Sequence, residues 1–308
     1  SVILCDKEQF PRIKSCGGLL EEKTYQAVKS TAPGSLLTRF QDIEVHMPHG
    51  ESEMLPGKSV LLDRRTFDLK RVQHCQDLGL PVHERYKAVA IKQHRNHIAT
   101  SFQNREVIKS RAVIYAVGCG TKMPGMPVLV APVRIPTLQA EISCPLAHEY
   151  RAKVEFFPQG AGYGWIFPGR GQVNAGIFSR EKQGVHQRFR WFLAKQNLPQ
   201  VRGHGSQILL RRKMSPLGQG RVVLTGDAAG LANPLTGGGL MMALYSGYAA
   251  AVAVTQNNYD NALGGYQKLL ARHTEKPFSQ KSLADRFYAR IEQFGSYSQA
   301  FSDTYQAR

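Results

Sequence analysis

Residues 222–244 read VVLTGDAAGLANPLTGGGLMMAL. The first four, all apolar or β-branched, predict a strand buried in a parallel sheet. Such a strand brings the next acid, Asp227, to its carboxyl end, where ligands bind in open α/β sheets. The three glycines that follow Pro234 predict a helix whose first backbone amides are bare and can face an anion or an electron-rich ring. A tight turn before a buried helix is the plainer interpretation, but it needs neither the Gly-Asp pair nor the glycine triplet.

The composition is that of an ordinary folded protein. The chain has 308 residues, 42% of them hydrophobic and 20% charged, which excludes a mainly disordered chain and predicts one large or two modest lobes. Its five cysteines form no CxxC pair, so we expect a reducing compartment, the cytoplasm, rather than a disulfide scaffold. No metal site is predicted, because His46 with His49 and His94 with His97 sit in turns without supporting carboxylates. The longest weakly polar run, 237–254, is shorter than the roughly 20 apolar residues of a membrane-spanning helix.

The first 120 residues predict alternating strands and helices. The predicted elements are a strand at 2–4, a helix at 19–30, a strand-rich region at 36–62, a helix at 64–79 and the strands of a meander at 88–91, 97–102 and 107–116. The first strand is apolar enough to be buried on both faces, and Asp6 lies at its carboxyl end. Asp63 is predicted as the N-cap of the second helix.

The remaining residues predict a second lobe and a return to the first. The predicted elements are strands at 154–157, 164–167 and 172–178, a helix at 184–196, a strand at 222–225 and helices within 257–308. The Pro-rich residues 124–136 are typical of a crossing between lobes. The fold class is therefore α/β, with a Rossmann-like parallel-sheet domain, an antiparallel-sheet domain and C-terminal helices.

Four further patterns occur in a fixed order along the chain. They are FPRIKSCGGL at 10–19, DRRTFD at 63–68, YGWIFP at 163–168 with VNAG at 173–176, and GDAAG at 226–230 with NPLTGGG at 233–239. Together they resemble the motifs of the geranylgeranyl reductase family, within the para-hydroxybenzoate-hydroxylase-like group of flavoproteins. The resemblance covers about residues 1–255 and implies that the parallel-sheet domain binds FAD.

The resemblance also implies a domain organisation and an activity. The FAD-binding domain would comprise 1–35, 63–123 and 211–256, the substrate domain 36–62 and 124–210, and a C-terminal helical segment 257–308. The implied enzyme is an FAD-dependent oxidoreductase that reduces C=C bonds of an isoprenoid or related lipid by hydride transfer from reduced flavin, with NAD(P)H as the electron donor. An FAD-dependent aromatic hydroxylase of the same fold is the alternative.

Cofactor contacts are implied for residues of three motifs and for Asp6. Asp6 would hold the adenosine ribose, and Asp227 the ribityl chain. Arg64 would pair with the diphosphate, unless it is a solvated arginine at a helix start. The helix that begins near Gly237 would place its positive end by the pyrimidine side of the flavin. The other residues implied to line FAD are Cys16, Gly17, Gly18, Gly226, Ala228, Pro234, Gly238 and Gly239.

Three residues are implied at the reacting centre. Cys16 would lie on the loop beside the isoalloxazine ring, where its thiol would donate a proton to a carbon after hydride delivery. A small residue packed in a turn is the alternative for Cys16. Alternation places Tyr163, Trp165 and Phe167 on one strand face, where the first two would line the substrate cavity or serve only as core aromatics.

The chain departs from the family pattern at three places. The family begins with a strand, a Gly-x-Gly-x-x-Gly turn and a helix that cradle the FAD diphosphate, and these are missing here. Val117 stands where the family has an acid, and Gly238 where it commonly has Glu. We therefore expect either a fragment of an active flavoprotein or a cofactor-free remnant that works as a basic binding module.

Positive charge is concentrated just ahead of the glycine-rich stretch. Forty Lys and Arg against 23 Asp and Glu give the chain a net charge of +17. Residues 180–222 contain ten of the basic residues and a single acid, Glu181, together with Phe189, Trp191 and Phe192. This pattern predicts either peripheral contact with an anionic membrane or a solvated basic face. Nucleic-acid binding is less favoured.

Overall fold

The computed structural model describes residues 1–119, 124–125, 132–211, 216–256, 259–274 and 280–306. The strands are β1 (Leu4–Cys5), β2 (Leu19–Glu21), β3 (Leu36–His46), β4 (Ser52–Leu62), β5 (Val82–His83), β6 (Ala88–Gln93), β7 (Ile98–Phe102), β8 (Val107–Ser110), β9 (Val113–Tyr115), β10 (Val133–Ser143), β11 (Lys153–Phe156), β12 (Gly162–Gly169), β13 (Gln172–Ser179), β14 (His204–Leu210), β15 (Gly218–Gln219) and β16 (Val222–Leu224). The helices are α1 (Glu22–Val28), α2 (Arg64–Asp77), α3 (Val185–Lys195), α4 (Leu240–Gln256), α5 (Ala262–Thr274), α6 (Gln280–Gln293) and α7 (Tyr297–Gln306).

The elements form the predicted α/β fold and divide into two compact units. The parallel unit comprises 1–10, 75–134 and 208–282, and the antiparallel unit comprises 11–74, 135–207 and 283–308. The domain boundaries implied by the family resemblance stay a prediction.

The parallel unit is built around β16 and its helices. β16 pairs in parallel with β9 and antiparallel with β15, while β1 pairs in parallel with β5, and β6 to β8 form the predicted meander. Val222, Val223 and Leu224 are fully buried, as predicted, in one cluster with the alanines of α4. The hydroxyl of Tyr266, on α5, donates to the carbonyl of Leu224 over 2.7 Å. This packing fixes where β16 ends and therefore where the Gly-Asp pair begins.

Two predictions for the parallel unit are wrong. Val2, Ile3 and Leu4 are exposed rather than buried on both faces, because β1 has a neighbouring strand on one side alone among the described residues. The predicted strand at 107–116 is two strands: β8 stays in the meander, whereas β9 leaves it to pair with β16. Apolar alternation continues through the break, so the sequence pattern does not reveal it.

The antiparallel unit contains an eight-stranded sheet in the order β14-β10-β13-β12-β11-β3-β4-β2. From β10 to β2 the neighbouring strands pair antiparallel except for β11 with β3, which are parallel. Helix α3, predicted at 184–196, packs on this sheet through Phe189, Phe192 and Leu193, which are buried. The sheet provides a rigid surface on which β12 and β13 present their side chains.

The segment 11–74 confirms one local prediction and corrects another. Asp63 caps α2, because its carboxylate accepts the backbone amide of Arg65 over 3.0 Å. The predicted helix at 19–30 begins three residues late, since Leu19–Glu21 is strand β2, with Leu19 opposite Leu61 of β4. Tertiary pairing overrides the helical spacing there.

Some predictions fall partly outside the described residues. They include residues 126–131 of the crossing at 124–136 and two of the ten basic residues of 180–222, Arg212 and Lys213. In the described part of the chain, no helix is both long and apolar enough to cross a bilayer.

Gly176→Ala tests the packing of the antiparallel sheet. A Cβ at this position would lie 2.2 Å from Cζ2 of Trp165 and 2.7 Å from the carbonyl oxygen of Leu138. We expect the substitution to lower the free energy of unfolding by about 1–3 kcal/mol, as overpacking does, in urea denaturation. Gly57→Ala is the matched control on strand β4, because a Cβ there meets nothing within 4 Å. Equal effects of the two substitutions would contradict the packing.

Candidate functional site

The indole of Trp165 lies between two glycines. Trp165 pairs with Gly176 of the neighbouring strand, and a Cβ on Gly176 would fall 2.2 Å from Cζ2 of the indole. On another side, a Cβ on Gly17 would lie 3.3 Å from the indole Nε1. Because neither residue has a side chain, the indole fills the space between the sheet and the loop that carries Cys16.

Asn174 connects this indole to the same loop. Trp165 Nε1 donates to Asn174 Oδ1 over 2.9 Å, and Asn174 Nδ2 donates to the carbonyl of Cys16 over 3.2 Å and to Gln139 Oε1 over 2.9 Å. Asn174 and Gln139 are buried. Sequence reasoning missed both, although Asn174 lies inside the quoted VNAG motif. A polar residue on a strand that is otherwise buried was the available signal.

The Cys-Gly-Gly sequence is required by the geometry of its turn. Gly18 has φ +73°, and a Cβ there would lie 2.7 Å from the carbonyl oxygen of Leu62. Its amide faces Cys16 Sγ at 3.4 Å, and its carbonyl accepts the Leu62 amide over 3.0 Å. The Gly18 carbonyl thus ties the loop to β4, while the Gly18 amide contacts the half-buried thiol of Cys16.

Arg64 is buried beside Cys16, so it is not a solvated arginine. Its guanidinium donates to the carboxylate of Asp68 over 3.0–3.2 Å, and Arg12 lies 3.4 Å from the same carboxylate. Burial acts to lower the pKa of Arg64, but attraction to Cys16 and Asp68 outweighs it and raises that pKa. The site therefore keeps a permanent cation next to the thiol. Asp68 belongs to the quoted DRRTFD motif, but no role for it was predicted.

The predicted aromatic face of β12 is present. The ring of Trp165 lies 6.1 Å from that of Tyr163 and 6.4 Å from that of Phe167, so the three share one strand face. Tyr163 also stacks on Phe178 at 5.1 Å. Burial, with smaller effects of Tyr297 and Cys16, raises the pKa of Tyr163. This aromatic wall, Tyr163, Trp165 and Phe167, stays neutral and excludes water from the space beside it.

In the parallel unit, the Gly-Asp turn lies against the start of α4. Gly226 has φ +54°, and its amide donates to Ser246 Oγ over 2.9 Å. Asp227 is partly exposed, and a Cβ on Gly239 would lie 3.0 Å from its Oδ1. Glycine at 239 thus leaves the carboxylate beside bare backbone, as a cradle for a ligand's hydroxyl groups requires.

The residues between the turn and α4 form a tight loop. Asn233 Oδ1 accepts the amides of Leu235 and Thr236, over 2.8 and 3.2 Å, and its carbonyl accepts the amide of Gly237. Pro234 is buried and Ala228 is half-buried. Gly238, where the family commonly has Glu, is exposed. The loop presents the first turn of α4, which begins at Leu240, three residues after the predicted start near Gly237, so the three glycines precede the helix.

Asp6 and Val117 each follow a strand of the parallel unit. Asp6 follows β1, and its carboxylate accepts the amide of Glu8 over 2.8 Å, a bond local to the turn. Val117 follows β9 and is exposed, with no acidic group in its place.

Each unit therefore carries its own part of the predicted site. Cys16, Gly17, Gly18, Arg64, Tyr163 and Trp165 share the antiparallel unit, whereas Asp6 and all the predicted residues of 226–239 belong to the parallel unit. The Gly-Asp turn fits part of a flavin cofactor, because the partly exposed carboxylate of Asp227 beside Gly239 can accept the hydroxyl groups of a polyol chain. No cluster of three or more metal-ligating side chains occurs in the described residues.

Comparison with known sequences finds similarity to digeranylgeranylglycerophospholipid reductases. No protein-family model matches it. Digeranylgeranylglycerophospholipid reductase of Thermoplasma acidophilum is 35% identical over 132 residues, which are 38% of this chain and 33% of the relative. Digeranylgeranylglycerophospholipid reductase 2 of Methanopyrus kandleri is 25% identical over 277 residues, which are 80% of this chain and 68% of the relative. The matches thus span from one third to about two thirds of these relatives.

Solved structures confirm the fold. A geranylgeranyl bacteriochlorophyll reductase-like protein of Thermoplasma acidophilum matches with a TM-score of 0.77 at 20% identity, covering 99% of this chain and 90% of that one. PqsL of P. aeruginosa matches with a TM-score of 0.70 at 15% identity, covering 97% and 92%. The resemblance to the geranylgeranyl reductase family, read from the four motifs, is confirmed by the named relatives.

Arg64→Leu tests the buried ion pair. Removing the guanidinium leaves the Asp68 carboxylate buried with Arg12 alone, and we expect a loss of about 3 kcal/mol in the free energy of unfolding. Arg39→Leu, which breaks the more exposed pair with Glu22, should cost less than about 1 kcal/mol. The double variant Arg64→Leu/Asp68→Leu should recover most of the loss. A double variant as unstable as the single one would show that an unpaired charge is not the cause.

Proposed function

We propose that this protein is an FAD-dependent oxidoreductase that reduces C=C bonds of an isoprenoid or related lipid. The observation that carries the proposal is the half-buried thiol of Cys16, held beside a buried cation, Arg64, and against an aromatic wall. A proton donor beside an apolar surface suits an alkene better than a polar substrate. The relatives named as reductases of digeranylgeranylglycerophospholipids support the same substrate class.

The residues implied by the family resemblance would each hold a part of the cofactor. Asp227 would accept ribityl hydroxyls, Asp6 the hydroxyls of the adenosine ribose, and the first turn of α4 would face the pyrimidine side of the ring with its positive end. Gly17 and Gly18 would lie against the isoalloxazine. Arg64, engaged by Asp68, would reach the diphosphate only by exchanging that partner. Reduced FAD would supply the hydride, and NAD(P)H is the proposed source of electrons.

The chain's own residues would handle the proton. Reduced FAD would supply a hydride to one alkene carbon, and Cys16 Sγ would give its proton to the other carbon and take a proton back from water. Arg64 would keep a positive charge beside the sulfur. Trp165 and Tyr163 would line the lipid chain and keep water away from the reacting carbons.

An FAD-dependent hydroxylase is the second candidate. Two proteins of similar structure are a probable FAD-dependent monooxygenase, PqsL, and a tetracycline destructase, Tet(51). Oxygen uptake coupled to product formation would favour hydroxylation. Reduction of an alkene requires no oxygen, so product formed under argon would exclude hydroxylation as the main reaction.

We also propose that the outer face of α3 rests on an anionic membrane. Trp191 is 48% exposed there, next to the exposed Arg190 and Lys195. Phe189 and Phe192 are buried, so they contribute nothing to this face. Several cations of the segment already have acidic partners, namely Arg180 with Asp285, Arg188 with Glu181 and Lys195 with Glu155. The free charge at this face is therefore smaller than the sequence count.

FAD titration tests the cofactor proposal. We expect the purified protein to bind FAD one to one, seen as flavin fluorescence quenching. Asp227→Ala should weaken binding about tenfold, because a hydrogen bond to a charged group is lost. Asp260→Ala, also in the parallel unit but paired with Arg221 on the surface, should leave the affinity unchanged. A protein that ignores added FAD would instead support the cofactor-free binding module.

Vesicle co-sedimentation tests the membrane proposal. Binding should be stronger to phosphatidylglycerol-containing vesicles than to neutral phosphatidylcholine and should weaken as salt rises. Arg190→Glu should reduce binding about tenfold or more, since it reverses a charge worth about 1 kcal/mol near the surface. Lys58→Glu, on strand β4, is the control for net charge. Equal losses in both variants would argue against a face on α3.

A further inference from the structure

Every polar atom of the Asn174 side chain has a partner. Its two N–H groups donate to Cys16 O and Gln139 Oε1, and its oxygen accepts the Trp165 indole N–H. The residue is 6% exposed, so water does not replace any of these partners cheaply. A fully satisfied buried polar group of this kind fixes one arrangement of the groups around it.

The three bonds reach three different elements. Gln139 lies on β10, Trp165 on β12, and Cys16 on the loop that precedes β2, while Asn174 itself lies on β13. The first two partners belong to the rigid sheet. The bond to the Cys16 carbonyl is the one that ties a loop, and a loop has backbone freedom that the sheet lacks.

We propose that Asn174 is a positioning residue for Cys16: through the Cys16 carbonyl it holds the thiol loop in register with the Trp165 indole. This inference rests on the proposed function, in which Cys16 donates a proton beside the aromatic wall. Asn174 itself touches neither substrate nor cofactor. Asn174 acts on the position of Cys16 Sγ and on the fraction of time that the loop carrying it is open.

Asparagine suits this role better than aspartate. Aspartate would still accept the Trp165 N–H, and the Gln139 amide can turn to donate to it. The Cys16 carbonyl, however, has no hydrogen to offer and would face a carboxylate oxygen. Asn174→Asp therefore removes one bond of the three selectively. Asn174→Ser removes the bond to the Cys16 carbonyl without adding charge, although its short side chain also gives up the bonds to Trp165 and Gln139, and Gln139→Leu serves to separate these effects.

The experiment measures alkylation of Cys16 by iodoacetamide in the protein without added flavin. Peptide mass spectrometry separates Cys16 from the other four cysteines, and Cys144 of the same unit is the internal reference. Asn174→Asp and Asn174→Ser should each raise the Cys16 rate about fivefold, the equivalent of one ordinary hydrogen bond. Gln139→Leu is the matched control, since it removes a neighbouring bond and leaves the Cys16 carbonyl bonded.

A second readout reports on the indole. In a Trp191→Phe background Trp165 is the sole tryptophan, and its emission maximum should stay unchanged in Asn174→Asp while Cys16 reacts faster. An unchanged Cys16 rate in both Asn174 variants, or an equal rise in Gln139→Leu, would overturn the proposal. If Asn174→Asp does not fold, as judged by circular dichroism, Asn174→Ser decides the outcome.

Turnover separates this inference from the function on which it rests. With FAD and lipid substrate, the Asn174 variants should lower kcat about fivefold or more. They should leave KM within about twofold, because the side chains proposed to line the lipid chain, Trp165 and Tyr163, are unchanged. Failure of the wild-type protein to bind FAD would refute the proposed function alone. The alkylation comparison needs no flavin, so it would still decide the role of Asn174.

Discussion

The fit of one indole between two glycines supports most of the candidate site. Trp165 projects from β12 over Gly176, and the loop of Cys16 closes on the indole at Gly17. Any side chain at either glycine would push the ring, the loop or the strand away. Because the ring is buried, its N–H needs an acceptor, and Asn174 supplies it while bonding the same loop. Packing and hydrogen bonding therefore hold the thiol in one place.

The buried charges follow from the same closure. Arg64 is buried beside Cys16 where the loop lies on the sheet. A buried cation requires an anionic partner, and Asp68 provides it from the next turn of α2. Arg64 therefore keeps its positive charge beside the thiol. The aromatic wall on the same unit is neutral and apolar, which matches a hydrocarbon rather than a charged substrate.

Sequence reasoning predicted the parts of the site whose physics is local. The buried strand before Asp227, the glycines before α4 and the Asp63 cap each depend on a few consecutive residues, and all three are present. It failed where distant pairing decides. Leu19–Glu21 is a strand because it pairs with β4, and β9 leaves the meander because it pairs with β16. Asn174 escaped notice for the same reason, since its partners Cys16 and Gln139 are distant in sequence. Asp68 pairs with Arg64 four residues earlier on α2, a local contact that the sequence analysis overlooked.

We propose that the thiol of Cys16, beside the Trp165 indole, gives a proton to an alkene carbon of an isoprenoid lipid. This transfer can be measured in one anaerobic turnover of the FAD-loaded, fully reduced protein with a digeranylgeranyl phospholipid, followed by flavin absorbance and lipid mass. We expect the flavin absorbance to return with a gain of two mass units per double bond reduced, and Cys16→Ala to abolish both changes. Absorbance that returns only when oxygen is admitted, with no change in lipid mass, would contradict the account.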